Sequence, residues 1–150
     1  MEVTWLRRPA FMVMGTVTRI SENEAAAIIE EIWRHFGSHH DQVLPLSVDR
    51  AYYGVRFPVD GGRGFDYQAG MAVCKAYTTP AGLMVREIPS ARYAVFRCMP
   101  RDIEETYRFM LDQWLPESGQ SRESSIPMFE QYPPEGASDP YVLVHLPVHD

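Results

Sequence analysis

The sequence predicts an α+β domain in which two strand–helix–strand–strand units share one antiparallel sheet, with a ligand cleft between them. Strand-like runs and two amphipathic helical segments occur in the same order in both halves of the chain. Neither half can bury its sheet face and helix stripe alone, so the halves are expected to pack about a pseudo-twofold axis. The 150 residues contain no linker-like segment, and we expect a single domain over residues 1–150.

The first half supplies the first unit. Its strand-like segments are Val3–Leu6, Phe11–Arg19, Ala51–Phe57 and Asp66–Tyr77. Ser21 and Glu24 have the spacing of a capping box, in which each side chain bonds a backbone N–H at the start of a helix. That helix is expected over about 23–36 and is ended by Gly37.

The second half repeats this order. Its strand-like segments are Leu83–Ile88, Arg92–Cys98, Met128–Tyr132 and Tyr141–Val148. A helix opens at Pro100, where proline suits the first turn, and is expected to end before Pro116. In this alignment of the halves Tyr53 corresponds to Tyr132 and Trp33 to Trp114.

The charge balance argues against nucleic acid as a direct partner. The chain carries 14 Lys and Arg against 20 Asp and Glu, a net charge of −6, and no basic patch stands out. An acidic field favours cationic partners instead. The sequence contains no run of about 18 apolar residues, so it predicts no membrane span. The N-terminus lacks the basic-then-apolar order of a signal peptide, so we expect a cytoplasmic protein.

We expect neither a metal nor a cofactor, and we assign no catalytic residue. Cys74 and Cys98 match no metal motif and are expected to be buried free thiols. His39-His40-Asp41 has no further ligand nearby. The Gly-rich stretch at 60–64 leads into a strand instead of a helix, so it predicts a hairpin turn and not a phosphate site.

Glu130 is the candidate anchor for a ligand. Alternation along its strand places Met128, Glu130 and Tyr132 on one face. A carboxylate buried in such an apolar wall carries a desolvation cost, which a cationic ligand would relieve. The pattern alone also fits an exposed glutamate on a solvated sheet face.

Aromatic and sulfur-containing side chains are abundant enough to line a pocket. The chain has eight Tyr, three Trp and eight Met, residue types found in pockets as well as in cores. The candidates for contact with a flat ligand beside Glu130 are Tyr53, Tyr67, Tyr93, Tyr132, Trp114 and Met71. For each of them, packing in the core is the alternative role.

Several stretches resemble the GyrI-like family of effector-binding domains. They are Met84–Phe96, Trp114–Gly119, Phe129–Tyr132, Tyr53–Val55 and Tyr67–Gly70. The resemblance covers nearly the whole chain and implies two related units around a cleft. It also implies a sensor of the kind fused to DNA-binding domains in AraC/Rob-type and BmrR-type regulators, where a buried glutamate at the place of Glu130 faces a cation. The first-half counterpart of Glu130 is Ala51, so one half alone offers a carboxylate.

The leading hypothesis is therefore a stand-alone binding module for amphipathic, cationic aromatic compounds. Two alternatives remain open. Some members of the family resemble hydrolases of cyclopropane-bearing genotoxins, and there Glu130 would act as a base with a nearby tyrosine as proton donor. Others modulate gyrase, so a protein partner such as a topoisomerase or a regulator is the third possibility, which predicts an exposed apolar patch.

Overall fold

The computed structural model describes residues 2–59, 61, 63–74 and 78–150. Its eight strands are β1 Val3–Arg8, β2 Phe11–Ile20, β3 Tyr52–Pro58, β4 Phe65–Val73, β5 Met84–Ile88, β6 Ala91–Cys98, β7 Met128–Tyr132 and β8 Val142–Val148. They form one sheet in the order β1-β6-β8-β7-β3-β4-β2-β5. All neighbours are antiparallel. The predicted α+β class is confirmed.

The strand order is symmetric about its centre, where β7 pairs with β3. Moving outward, β8 and β4 follow, then β6 and β2, and finally the edge strands β1 and β5. Each edge strand lies on the half of the sheet that the other unit forms, because β1 pairs with β6 and β5 pairs with β2. The duplication predicted from the sequence is present, and the two units exchange their outermost strands.

Two very short connections require a strongly curved sheet. Pro9 and Ala10 join β1 to β2, and Pro89 and Ser90 join β5 to β6. In both cases the joined strands lie six positions apart in the sheet. Six strand spacings in a flat sheet span about 29 Å, whereas the three peptide steps of such a connection reach only about 11 Å. The two ends of the sheet must therefore curve toward each other.

The concave face of this sheet is filled by side chains from the strands themselves. The buried cluster there consists of Val13, Ala51, Tyr53, Val55, Phe57, Ala72, Ile88, Ala91, Tyr93, Val95 and Phe129. His145 stacks on Phe129 with ring centroids 4.1 Å apart, and the ring of Tyr93 packs against His145 edge-on at 5.5 Å. We call this cluster, together with His145, the inner layer.

Helices cover the opposite face. Helix α1, Ala25–Gly37, follows a 3-10 turn at Glu22–Glu24 and packs on β2 and β4. A short helix α2, His40–Val43, continues toward a 3-10 turn at Leu44–Leu46. Helix α3, Ile103–Phe109, follows a 3-10 turn at Pro100–Asp102 and packs on β6 and β8. A cleft floored by β3 and β7 separates the two main helices.

Helix ends differ from the prediction at two places. Ser21 and Glu24 bond each other, with Oγ donating to Oε1 at 2.5 Å, and the reciprocal side-chain bonds of a capping box are not formed. The expected end before Pro116 is wrong, because a π-helical turn at Met110–Trp114 leads into helix α4, Leu115–Ser118. This wider turn accommodates a residue without an N–H.

The predicted strand at 66–77 and the two cysteines differ from the structure near the end of β4. The strand expected over 66–77 is observed as far as Val73, and residues 75–77, like 60 and 62 of the Gly-rich turn, lie outside the described residues. Cys98 is buried, whereas Cys74 is exposed because it follows the end of β4. No helix within the described ranges is long and apolar enough to cross a membrane.

The inner layer makes stability depend on pH through His145. Burial lowers the pKa of His145 to about 3, against about 6.5 in an unfolded chain. Between these two pKa values His145 is protonated in the unfolded chain and neutral in the folded protein. The contribution of neutral His145 to the free energy of unfolding is therefore complete above pH 6.5 and is lost as the pH falls. Between about pH 6.5 and 5, this residue should lower the free energy of unfolding by up to about 1.4 kcal/mol per pH unit.

Urea denaturation of the wild type and of His145→Gln at both pH values measures this contribution. The glutamine does not titrate, so the variant should lose less stability on acidification than the wild type. Equal losses in the two proteins would contradict a neutral, buried His145.

Candidate ligand-binding cleft

The floor of the cleft is a row of three directly opposed residue pairs on β3 and β7. From one end to the other, the pairs are Tyr52 with Tyr132, Gly54 with Glu130, and Arg56 with Met128. Directly opposed residues in an antiparallel pair point to the same face. The row therefore runs from an aromatic end, through the carboxylate of Glu130, to the guanidinium of Arg56.

The Glu130 side chain is fully buried, and tyrosine hydroxyls bond both of its oxygens. Tyr67 on β4 donates to Oε2 at 2.5 Å, and Tyr132 donates to the same oxygen at 3.2 Å. Tyr107 on α3 donates to Oε1 at 2.6 Å. The indole N–H of Trp33 on α1 donates to the Tyr67 hydroxyl at 2.9 Å. The carboxylate thus joins both helices to the floor of the cleft.

These tyrosines are neutral hydrogen-bond donors. Burial first, and then the negative charge of Glu130, raises the pKa of Tyr67, Tyr107 and Tyr132 well above the usual value near 10. Their hydroxyl groups consequently keep their protons at physiological pH. They stabilise the charge of Glu130 through hydrogen bonds without cancelling it.

Arg56 is the cation beside Glu130, with its Nε 3.6 Å from Oε1. Its terminal amino groups bond both oxygens of Glu104 on α3, at 3.2 Å for Nη1. The guanidinium also lies over the ring of Tyr107, 3.7 Å from its centroid. Burial alone would lower the pKa of Arg56, but Tyr107 and the two carboxylates more than offset this and raise it. One buried cation therefore lies between two carboxylates.

Gly54 provides the room for the carboxylate. A Cβ atom at this position would overlap both the Tyr67 hydroxyl and the Glu130 carboxyl group. The residue opposite Glu130 must consequently lack a side chain, since the two β-strands hold their backbones at a fixed spacing.

The cleft has an opening at each end of the row. At the aromatic end, Trp33, Tyr52 and Tyr132 line a space of about 290 Å³. The Trp33 ring packs edge-on against both tyrosines, with centroids 5.2 Å from Tyr132 and 6.3 Å from Tyr52. We call these three residues the aromatic opening.

At the other end a larger cavity of about 730 Å³ begins beyond Arg56 and Met128. Its wall also carries Glu104, Arg108 and Asp112 from the α3 side. This charged cavity and the aromatic opening are separated by Glu130 and the groups bonded to it.

Three of the seven predicted ligand-binding residues meet in the cleft: Glu130, Tyr67 and Tyr132. Met71 is buried in the core beneath α1, and Trp114 packs against Trp5 and Phe96. Neither lines an opening described above.

Tyr53 and Tyr93 belong to the inner layer, on the opposite face of the sheet from the Glu130 carboxylate. The Tyr53 hydroxyl donates to Asp49 at 2.6 Å. Burial raises the pKa of both tyrosines to about 12. Contact of these two residues, or of Met71 and Trp114, with a ligand stays a prediction.

The proposed equivalence of Tyr53 with Tyr132, and of Ala51 with Glu130, is wrong. The strand register places Tyr52 opposite Tyr132, while Ala51 and Tyr53 face the inner layer. A shift of one residue exchanges the two faces of a strand, and repeat spacing in the sequence does not determine register to that precision.

Sequence reasoning missed Arg56, Tyr107, Tyr52 and Trp33 as residues of the cleft. Arg56 carried a signal, because a charged residue inside an otherwise apolar strand needs a partner if it is buried. Tyr107 carried another, since a buried tyrosine on an apolar helix stripe needs a hydrogen-bond partner for its hydroxyl.

The close approach at Gly54 can be tested by adding one methyl group. We expect Gly54→Ala to lower the free energy of unfolding by about 1–3 kcal/mol, because the new Cβ displaces Glu130 and Tyr67. Gly37→Ala is the matched control, since an added Cβ there meets no described residue within 4 Å beyond its chain neighbours and its own helix backbone. Thermal unfolding of both variants measures this loss of stability. Equal melting temperatures would contradict the close packing at Gly54.

Comparison with known proteins shows the fold and the family of this chain. The structure of SAV2435 bound to tetraphenylphosphonium shares the fold with a TM-score of 0.80 and 17% identity, covering 99% of this chain and 94% of SAV2435. The integron cassette protein VCH_CASS2, from the mobile metagenome of Vibrio cholerae, gives a TM-score of 0.68 at 16% identity, covering 98% and 95% of the two chains.

A curated relative is the transcriptional regulator BrlR of Pseudomonas aeruginosa, 25% identical over 150 residues. The match covers 96% of this chain and 54% of BrlR, so the chain spans about half the length of that regulator. The family model described as Cass2, integron-associated effector binding protein, matches residues 6–148. The chain therefore belongs to the Cass2 family of integron-associated effector-binding proteins.

Proposed function

We propose that the protein binds an amphipathic aromatic cation, with the positive charge near Glu130 and the rings against the aromatic opening. The observation that carries this proposal is a fully buried carboxylate directly behind three aromatic side chains. Family membership supports a role in effector binding. SAV2435, which shares the fold, has a structure with the lipophilic cation tetraphenylphosphonium.

The charges around Glu130 favour a cation over a neutral ligand. Glu130 and Glu104 together carry two formal negative charges, and Arg56 supplies one positive charge. The remaining partners of Glu130 are neutral tyrosine hydroxyls. The cluster consequently has a formal charge of −1. Glu130 and Arg56 are buried, so their charges interact more strongly than charges in solvent, whereas Glu104 is partly exposed.

The aromatic opening suits the apolar part of such a ligand. A cation over the face of a Tyr or Trp ring gains about 0.5–2 kcal/mol. At about 290 Å³, the opening lies at the lower limit of the roughly 300–1,000 Å³ typical of pockets for drug-sized ligands. A ligand with several rings therefore requires Trp33 or the tyrosines to move, and we expect binding to alter the environment of Trp33.

Hydrolysis is less compatible with the arrangement. A carboxylate that activates water needs an oxygen in reach of that water. Both Glu130 oxygens are buried and already accept hydrogen bonds from tyrosines. We therefore propose ligand binding at this site.

The test is a titration of intrinsic tryptophan fluorescence with tetraphenylphosphonium and with neutral triphenylphosphine oxide. Wild type should bind the cation more tightly than the neutral compound. Glu130→Gln should weaken cation binding by about 5- to 150-fold, equivalent to about 1–3 kcal/mol, and should leave the neutral compound nearly unaffected. Glu105→Gln removes the same charge from an exposed position on α3 and should change neither affinity.

Two outcomes would exclude the proposal. Either the wild type shows no preference for the cation, or Glu130→Gln and Glu105→Gln affect cation binding equally. The second result would assign any charge preference to the overall field of the acidic protein.

The aromatic opening gives a separate prediction at Tyr52. Its ring stacks on His40 with centroids 5.5 Å apart, and its hydroxyl lies 2.6 Å from His40 Nε2. If the ring contacts the ligand, Tyr52→Leu should weaken tetraphenylphosphonium binding by about 2- to 30-fold. Tyr52→Phe keeps the ring and should retain most of the affinity. Isothermal titration calorimetry measures both, and similar losses in the two variants would argue against ring contact.

A further inference from the structure

We propose that Arg56 is a built-in counter-cation of Glu130 that competes with the ligand, and that Glu104 sets the strength of this competition by holding the guanidinium. Binding is then an exchange in which the ligand's positive charge replaces that of Arg56 beside the carboxylate. This inference rests on the proposed function, because it concerns the same cation site.

Arg56 is bound more closely to Glu104 than to Glu130, as expected if a ligand can replace it beside Glu130. Both terminal amino groups bond Glu104. Nε faces Glu130 from 3.6 Å and has no hydrogen-bond partner among the described residues. Arg56 thus interacts with Glu130 through charge without a direct hydrogen bond, while its bidentate bond is to Glu104.

Burial makes the competition effective. The side chain of Arg56 is only 6% exposed, and that of Glu130 is fully buried. Solvent and salt screen buried charges far less than exposed ones. A second cation brought to Glu130 from the aromatic opening would therefore experience the full repulsion of the guanidinium, unless the guanidinium moves.

The charged cavity offers the space for that movement. Arg56 and Glu104 both line it, on the side of Glu130 away from the aromatic opening. The Glu104 side chain is 28% exposed, so a guanidinium that follows it outward gains solvent and keeps its carboxylate partner. Displacement of Arg56 thus need not leave a buried charge unpaired.

Two substitutions should have opposite effects on cation affinity. Arg56→Gln removes the competing charge, so tetraphenylphosphonium should bind about tenfold more tightly. Glu104→Gln frees the guanidinium to bond Glu130 directly, so the same ligand should bind about 3- to 10-fold more weakly, although Glu104 makes no contact with Glu130. Removal of Arg56 should tighten cation binding by a larger factor in the Glu104→Gln background than in the wild type, because Glu104 restrains the competition by Arg56. Equal factors in the two backgrounds would show that the two charges act independently and would contradict this role of Glu104.

The experiment is calorimetric titration of these three variants and of the wild type with tetraphenylphosphonium and with triphenylphosphine oxide. Affinity for the neutral compound should vary little across the series. Arg108→Gln is the matched control, since Arg108 lies exposed on the wall of the same cavity. Among the described residues, the ion pair to Glu130 comes from Arg56 and not from Arg108. Circular dichroism establishes that each variant is folded.

The outcomes separate this inference from the proposed function. If cation binding depends on Glu130 but Arg56→Gln leaves it unchanged or weaker, Arg56 is no competitor and the inference fails while the function stands. If no protein in the series prefers the cation, the proposed function fails first. Should Arg56→Gln not fold, Arg56→Met takes its place: tighter cation binding supports the inference, and unchanged or weaker binding overturns it.

Discussion

The burial of one carboxylate, that of Glu130, is the constraint on which the cleft depends. Removing such an ion from water costs several kcal/mol unless neighbouring groups compensate for it. That cost explains why tyrosines from β4, α3 and β7 converge on it. It also explains a glycine opposite it and an arginine beside it. Packing of the two helices onto the sheet is consequently coupled to the charge between them.

The curvature of the sheet supports this arrangement from behind. Phe129 precedes Glu130 in β7 and points to the inner layer, where it is held by His145 and Tyr93. Since neighbouring residues of a strand face opposite sides, every shift of Glu130 along the strand would disturb a close-packed aromatic layer. The position of the carboxylate is thus supported by packing on the face of the sheet opposite the cleft.

Much of the fold could be predicted from the sequence, because alternation and helical spacing are local signals. The strands expected at 11–19 and 128–132, for example, match β2 and β7 closely. Alternation placed Glu130 on one face with Met128 and Tyr132, and the family resemblance then selected it as the candidate anchor. Its partners could not be predicted, because the face presented by Tyr52 or Tyr53 depends on the register between strands distant in the chain. Arg56 and Tyr107 were missed since their partners lie on other elements.

The exchanged edge strands limit how the cleft can open. Each half of the sheet ends in a strand tied by two residues to the other half, and β3 and β7 are hydrogen-bonded along the floor. Moving the halves apart as rigid bodies would break this ladder and pull both short connections at once. Separation of the halves as rigid bodies is therefore costly. If the cleft binds a ligand as proposed, selection by ligand size depends on the roof, formed by α1, α3 and the aromatic side chains they carry.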